Sequence, residues 1–492
     1  RVIINQIIRS PGLYYQKKFY ETYETKWSEK PELEHTYKRS YADIICLRGT
    51  WLRIQLDKKK KIWAQTKRGP KIPIIWFLIG MGLNEQVIFN TVIQPTLLLE
   101  NMDDPFFLHK NNSKQNQNQT YIPNPSQLWQ ELNPLILKKY KNKKQIYPAN
   151  VGRLWIFNKF MNPKNYDLGK QGRIAINKKL GLNLANNQLT LTPQDLLDSI
   201  NYLIKVEKGL ENIDDIDHLK NRRVRTSGEL IQIQLGNGLG RLEEFIHEKM
   251  NESREYVNVL IPTNKKTNQK MDSEIESLKL EIDPKIGKKN SISKNLKNTK
   301  GSSVKKLTIN NLITTKPLNS ALREFFGSSP LSQFMDQINP LAEITHKRRL
   351  SSMGPGGVTR DTATLAIRGI HPTHYGRICP VETPEGKNTG LVNSLTTYSR
   401  VNKQGILESP FYKVYKGQVQ KTTGMYFLSA EDEDQMKLAA SDLYISSLNF
   451  LPLAGIPVRF GEDFSKVPRH EVQYIGVSPL QMVSVATSFT SS

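Results

Sequence analysis

Three observations predict a multidomain α+β protein. The chain has 492 residues, room for about three or four domains of 100–200 residues. Residues 1–110 and 398–475 read as strands, whereas the region between them carries helix-start signals and helical apolar stripes. No repeat with a period of 20–50 residues is present, which excludes a solenoid or propeller.

In chain order, Val2-Ile3-Ile4 reads as a strand at once, and no Met or presequence precedes it, so the chain reads as cut at its start. Trp51-Leu52-Arg53-Ile54-Gln55-Leu56 alternates apolar and polar residues at period two, and the whole of 1–110 is expected to be strand-dominated. Its longest apolar stretch, 72–83, has 12 residues and contains Pro73; a spanning helix needs about 20, so no membrane span is predicted. Residues 111–119 are almost wholly Asn, Gln and Ser, a composition expected of a surface loop or disordered insert.

Thr192 as cap, Pro193 in the first turn, and the stripe Leu196, Leu197, Ile200, Leu203, Ile204 predict a helix that Gly209 ends. A second helix is predicted over about 228–250. Its glycines 236, 238 and 240 each cost about 1 kcal/mol relative to Ala and imply a break or a close backbone approach. Residues 263–306 hold 12 lysines against 5 acids and few large apolar residues, and read as a mobile basic insertion. Short helices between Gly/Pro turns are expected from Leu318 onward.

Lys+Arg total 70 against 46 Asp+Glu, a formal charge of +24. Such an excess favours a polyanion, nucleic acid first, with an anionic membrane or an acidic protein as rivals. Cys46 and Cys379 match no ligand spacing, which disfavours a disulfide scaffold and a cysteine-built zinc site and suits a reducing compartment. His371, His374 and Cys379 lack a fourth ligand, so no metal site is assigned, and the two histidines read as structural groups beside prolines. The run Asp214-Asp215-Ile216-Asp217 is read as structural or solvated, and Glu431-Asp432-Glu433-Asp434 as an exposed charge run. Phosphate-loop, zinc-protease and nucleophile-elbow motifs are all missing, and no complete catalytic centre is expected in the chain.

Residues 327–390 concentrate the unusual features. Asn339-Pro340 with Glu343 starts a helix expected to present His346, Lys347, Arg348 and Arg349 near its end, where cations suit the helix dipole. Gly354-Pro355-Gly356-Gly357 follows, a turn open to close backbone approach by a ligand. Blind, a solvated basic face and a phosphate-rich ligand are both open readings of this cluster.

The run Gly327-Ser328-Ser329-Pro330-Leu331-Ser332-Gln333-Phe334-Met335-Asp336-Gln337, continuing through His346-Lys347-Arg348-Arg349-Leu350-Ser351 to the glycine turn, closely resembles the β subunit of bacterial-type DNA-directed RNA polymerase. Asn5-Gln6-Ile7-Ile8-Arg9-Ser10-Pro11-Gly12, Arg48-Gly49-Thr50-Trp51-Leu52 and Ser478-Pro479-Leu480-Gln481-Met482 extend the resemblance over nearly the whole chain. Ile62-Trp63-Ala64, Gly80-Met81-Gly82-Leu83-Asn84 and Ser409-Pro410-Phe411-Tyr412 resemble the plastid branch, implying a chloroplast enzyme of the stroma or nucleoid, with the cyanobacterial cytoplasm as the alternative.

By the family's architecture, residues 10–216 would be the lobe, 217–318 with 1–9 the protrusion, 319–395 the fork, 396–478 the β-rich external domain, and 479–492 the truncated start of the hybrid-binding domain. The family's β subunit continues further, which makes this chain an N-terminal part, either a truncated sequence or, as the favoured expectation, one product of a split gene. The resemblance implies synthesis of RNA from four NTPs on a DNA template, by a complex of α, β′ and β″ subunits with a sigma factor and a C-terminal β segment. Mg2+ in that complex would be held mainly by β′, with no cofactor on this chain. Gln333, Phe334, Asp336, His346, Arg349 and Ser351 match the family's rifamycin pocket beside the nascent RNA. Residues 353–368 match the fork loop, with Arg360 and Arg368 available to DNA phosphate, and Glu385 and Asn388 match a loop lining the hybrid. Lys387 replaces a usual apolar residue and Ile338 a common Asn. The rival reading is a non-catalytic basic nucleic-acid-binding or scaffold protein.

Overall fold

The computed structural model describes residues 1–22, 35–57, 60–67, 69, 71–98, 151–260, 314–461 and 463–490. The insertions expected at 111–119 and 263–306 lie outside the described residues. The chain forms two compact units, one of Arg1–Asn5 and Arg225–Arg348, the other of Gln6–Val224 and Arg349–Ser492. Several sheets with helices packed on them make it a mixed α/β protein.

In the larger unit, Gly12–Thr22, His35–Ile45, Leu52–Leu56, Ile62–Thr66 and Lys71–Pro73 form an antiparallel meander in chain order. Ile54 stands opposite Ala42 on one side and Ala64 on the other, and all three are buried. The expected strand texture stops at Pro73, because Ile74–Gly80 is a helix with every residue buried. A uniformly apolar run has no periodicity that separates a buried strand from a helix enclosed on all sides.

Gly169–Leu180 and Pro193–Glu207 complete the core of this region, where Ile176, Leu196, Ile200 and Leu203 pack with Leu13, Tyr15, Ile44 and Ile54. The second helix starts as its sequence predicts: Thr192 and Asp195 form a reciprocal capping box, and Gly209, at φ +76°, follows its end. Asp195 also binds the wholly buried Arg173, whose Nη1 donates at 2.7 Å to Oδ1 while its other nitrogens donate to the Gln188 and Thr190 carbonyls at 2.6 Å. A buried ion pair is tolerated when its donors are satisfied in this way.

A second sheet runs in the order Val392–Ser394, Arg349–Ser351, Asn5–Arg9, Arg222–Arg225, over a core containing Ile7, Val224, Leu350 and Leu395. An eight-stranded sheet built on Leu407–Tyr415 fulfils the expectation for 398–475, with Val414, Val458 and Ile475 at its centre. It also corrects the reading of 431–434 as exposed. Glu433 is 1% exposed and accepts from Arg377 at 2.5 Å and from Arg459.

In the smaller unit the helix Ser227–Leu260 continues through its three glycines and packs on Lys316–Ser328. Of the two readings of those glycines, close approach applies at Gly238. A Cβ there would lie 2.7 Å from Leu318 Cδ1 and 3.2 Å from its Cα, whereas Gly236 and Gly240 face open space. Val2–Ile3 pairs with Ser332–Gln333, and Ile3, Leu230, Phe325 and Leu331 pack together.

Candidate nucleic-acid interface

The sequence-predicted residues fall in both units. In the smaller one, Asn339 caps Pro340–Lys347 by accepting from the Ala342 amide at 2.7 Å. This helix does not present His346 outward: the ring is 2% exposed and ties back onto the preceding turn. The Asp336 amide donates to Nδ1 at 3.1 Å, which makes that nitrogen the acceptor, so Nε2 carries the hydrogen and donates to Gln333 Oε1 at 3.2 Å. The other end of the Gln333 amide donates to the Pro330 carbonyl at 3.1 Å. Gln333 and His346 therefore shape the turn, while Phe334 is 77% exposed beneath the Arg1 guanidinium, 4.4 Å from its ring centre. Half of the Asp336 side chain is also exposed.

In the larger unit Arg349 begins a strand, not the end of the helix, and sits opposite Ser394. Among the described residues its guanidinium has no hydrogen bond or ion pair. Ser351 is buried, and its hydroxyl accepts from the Met353 amide at 3.2 Å. The glycine turn folds on itself: Gly357 donates to the Gly354 carbonyl, and the Gln6 side-chain amide donates to the Met353 and Pro355 carbonyls at 3.0 and 2.9 Å. Gly357 is required, since a Cβ there would lie 2.2 Å from the Ser352 carbonyl oxygen.

Arg360 and Arg368 part company. Arg360 is exposed and unpaired among the described residues. Arg368, expected to be available to phosphate, instead donates to the Lys387, Thr389 and Arg360 carbonyls. Glu385 is exposed at the start of the turn Gly386–Asn388, and Asn388 buries its Oδ1 without a partner among the described residues.

Sequence reasoning missed a cleft of about 640 Å³ in the larger unit. The glycine turn forms one wall, the first meander strands another, and residues 216, 217 and 222 a third. Arg9, Lys18, Arg53 and Lys67 face it together with Trp51 and Asp43. Arg53 makes two bonds to Asp43, at 2.7 and 2.9 Å, and desolvation raises the Asp217 carboxyl above its ordinary range. Cations beside a flat ring and the glycines of the turn, Gly356 and Gly357, suit a ligand carrying both negative charge and an aromatic face. The lining comes from distant segments, so no local motif announces it.

The histidines read as structural are so. His371 caps its own turn, its Nδ1 accepting from the Thr373 amide at 3.2 Å while Nε2 donates to the Asp215 carboxylate at 2.7 Å, and the Asp214 carboxylate accepts from the Tyr15 amide at 2.6 Å and from Lys179. His374 is held neutral, its pKa pushed down to about 3 by burial first and then by Arg222, His371 and Arg377. Cys46 and Cys379 are buried and form no disulfide.

Three family profiles match the chain: "RNA polymerase Rpb2, domain 2" over 9–225, "RNA polymerase Rpb2, domain 3" over 333–401, and "RNA polymerase beta subunit external 1 domain" over 411–478. The chain is 53% identical to the DNA-directed RNA polymerase subunit beta N-terminal section of Chlamydomonas reinhardtii, across 99% of its own length and 63% of that protein's. The corresponding section from Tetradesmus obliquus is 43% identical, with 99% and 74% covered. The DNA-directed RNA polymerase subunit beta of Oltmannsiellopsis viridis is 41% identical, with 99% and 34% covered. The chain thus spans only part of the relatives it matches. With 53% and 43% identity in alignments that cover 99% of its length, and three polymerase domain profiles matched in chain order, the chain belongs to the family of N-terminal sections of the DNA-directed RNA polymerase β subunit.

Proposed function

We propose that this chain is the N-terminal part of the β subunit of a plastid RNA polymerase that copies DNA into RNA from four NTPs. The observation that carries the reading is the 53% and 43% identity, over 99% of the chain, to relatives named DNA-directed RNA polymerase subunit beta N-terminal section in two green algae. In the assembled enzyme a nucleotidyl group would pass from an NTP to the RNA 3′-hydroxyl with release of pyrophosphate, and bound Mg2+ would supply charge stabilisation of the phosphoryl oxygens. Among the described residues no three His, Cys, Asp or Glu side chains gather as a metal site requires. The β′ subunit is proposed as the main holder of Mg2+, with α, β″, a sigma factor and a C-terminal β segment as partners. Plastid stroma is the proposed location, and no helix among the described residues is long and apolar enough to cross a membrane.

The domain assignments follow the family: lobe 10–216, protrusion 1–9 and 217–318, fork 319–395, external domain 396–478, and the start of the hybrid-binding domain thereafter. On this reading the chain holds and steers nucleic acid, and its contribution to rate is positioning. In the smaller unit Phe334 and Asp336 offer contact to the nascent RNA, with Gln333 and His346 holding the turn that carries them; in the larger unit Arg349 offers its charge to RNA, and Ser351 holds the backbone at Met353. Arg360 offers charge to downstream DNA, and Glu385 and Asn388 line the hybrid. Phosphate contacts of this kind fix register without reading sequence.

Changing Arg349 to Ala in the assembled polymerase tests the reading. Transcription is expected to fall while recovery of the complex is unchanged. Transcription at the wild-type level would instead favour a scaffold role, and tight, salt-sensitive DNA binding by the chain alone would favour a stand-alone binder.

A further inference from the structure

We propose that Arg368 is a positioning residue that clamps the segment bearing Arg360 to the loop 386–389, so that the two present one surface. Its guanidinium reaches carbonyls on two separate stretches of chain. Nη1 donates to Lys387 O at 3.0 Å and to Thr389 O at 2.8 Å, and Nη2 donates to Arg360 O at 3.2 Å. A planar fork of N–H donors suits three such acceptors; an ammonium on a flexible stem does not.

A second contact seats the backbone of Arg368 itself against the end of the same loop. Gly390 has φ +74°, and a Cβ there would lie 2.4 Å from Arg368 O and 2.6 Å from Arg368 Cα. Backbone cannot swing aside as a side-chain end can, so the segments approach this closely only with glycine at 390. The loop is otherwise closed on itself, by Thr389 N to Gly386 O, Leu391 N to Asn388 O, and the Thr389 hydroxyl to the Pro384 and Gly386 carbonyls. Among the described residues Arg368 forms no ion pair with an acid, so its charge is spent on carbonyl dipoles.

The clamp stands on this geometry alone; its consequence for transcription rests on the fork reading. Hydrogen exchange of the full chain separates the two. Arg368→Ala is expected to speed exchange at the Thr389 and Leu391 amides roughly tenfold. Gly390→Ala is expected to do the same, Arg368→Lys to do so partly, and Arg360→Ala not at all. In the assembled polymerase Arg368→Ala is expected to lower kcat with KM for NTP unchanged, and to leave the salt slope of DNA binding at its wild-type value. Arg360→Ala is expected to reduce that slope by about 1. Unaltered exchange at 389 and 391 in Arg368→Ala would overturn the clamp, as would a salt slope that falls as it does for Arg360→Ala. If the amides speed up while kcat does not change, the clamp stands and the fork reading fails.

Discussion

At the scale of single residues, buried charge is where this protein is most sensitive. Glu433 lies between two guanidinium groups, with Arg377 wholly buried and bonded also to the Leu407 and Leu428 carbonyls. Replacing Glu433 by Ala strands the Arg377 charge in a low dielectric and is expected to cost about 3–5 kcal/mol, measured as a loss of unfolding free energy of the chain. His374 gives a pH dependence of definite sign. Its Nδ1 accepts from the His371 amide at 3.4 Å, and its Nε2 is buried without a partner among the described residues. The folded ring titrates near 3, whereas the unfolded value is 6.5. Above pH 6.5 both states are neutral and the group has no effect. As pH falls from 6.5 towards 3 the unfolded state takes up a proton that the folded state refuses, so stability declines, by at most about 1.4 kcal/mol per pH unit. Urea midpoints measured across that window are expected to fall less steeply in His374→Gln than in the wild type.

Among the elements, what could be read in advance depended on how local each signal was. Pro193–Glu207 was legible because cap, proline, capping acid and stripe all lie within its own span. Ile74–Gly80 was not, since its burial comes from neighbours distant in sequence. The helix Ser227–Leu260 shows both cases: its glycines flagged a close approach, but only the partner helix decides which one needs it. Gly236→Ala and Gly240→Ala are therefore expected to stabilise the chain by about 0.5–1 kcal/mol each through helix propensity. Gly238→Ala is expected to lose that gain, because its Cβ meets the Leu318 backbone; thermal unfolding of the three variants checks the order. The same logic applies at the interface. The resemblance made Arg360 and Arg368 alike available to phosphate, yet nothing local distinguishes the exposed Arg360 from Arg368, whose acceptors at 387 and 389 lie 19 and 21 residues away.

For the whole molecule, the formal charge of +24 pointed to a polyanion but not to which one, and the choice came from long ordered runs of specific residues. Those runs placed the chain in its family, while the cleft beside the glycine turn, assembled from far-separated segments, was visible only once the chain was folded. On the proposed reading, which rests on the identity to polymerase β sections, the chain steers nucleic acid within a larger polymerase assembly. The most direct test is DNA-dependent incorporation of labelled NTP by the material recovered on an affinity tag fused to this chain. The account predicts template-dependent RNA synthesis, co-eluting with larger polymerase subunits and weakened by Arg349→Ala. Recovery of the chain by itself, with no incorporation above background, would contradict it.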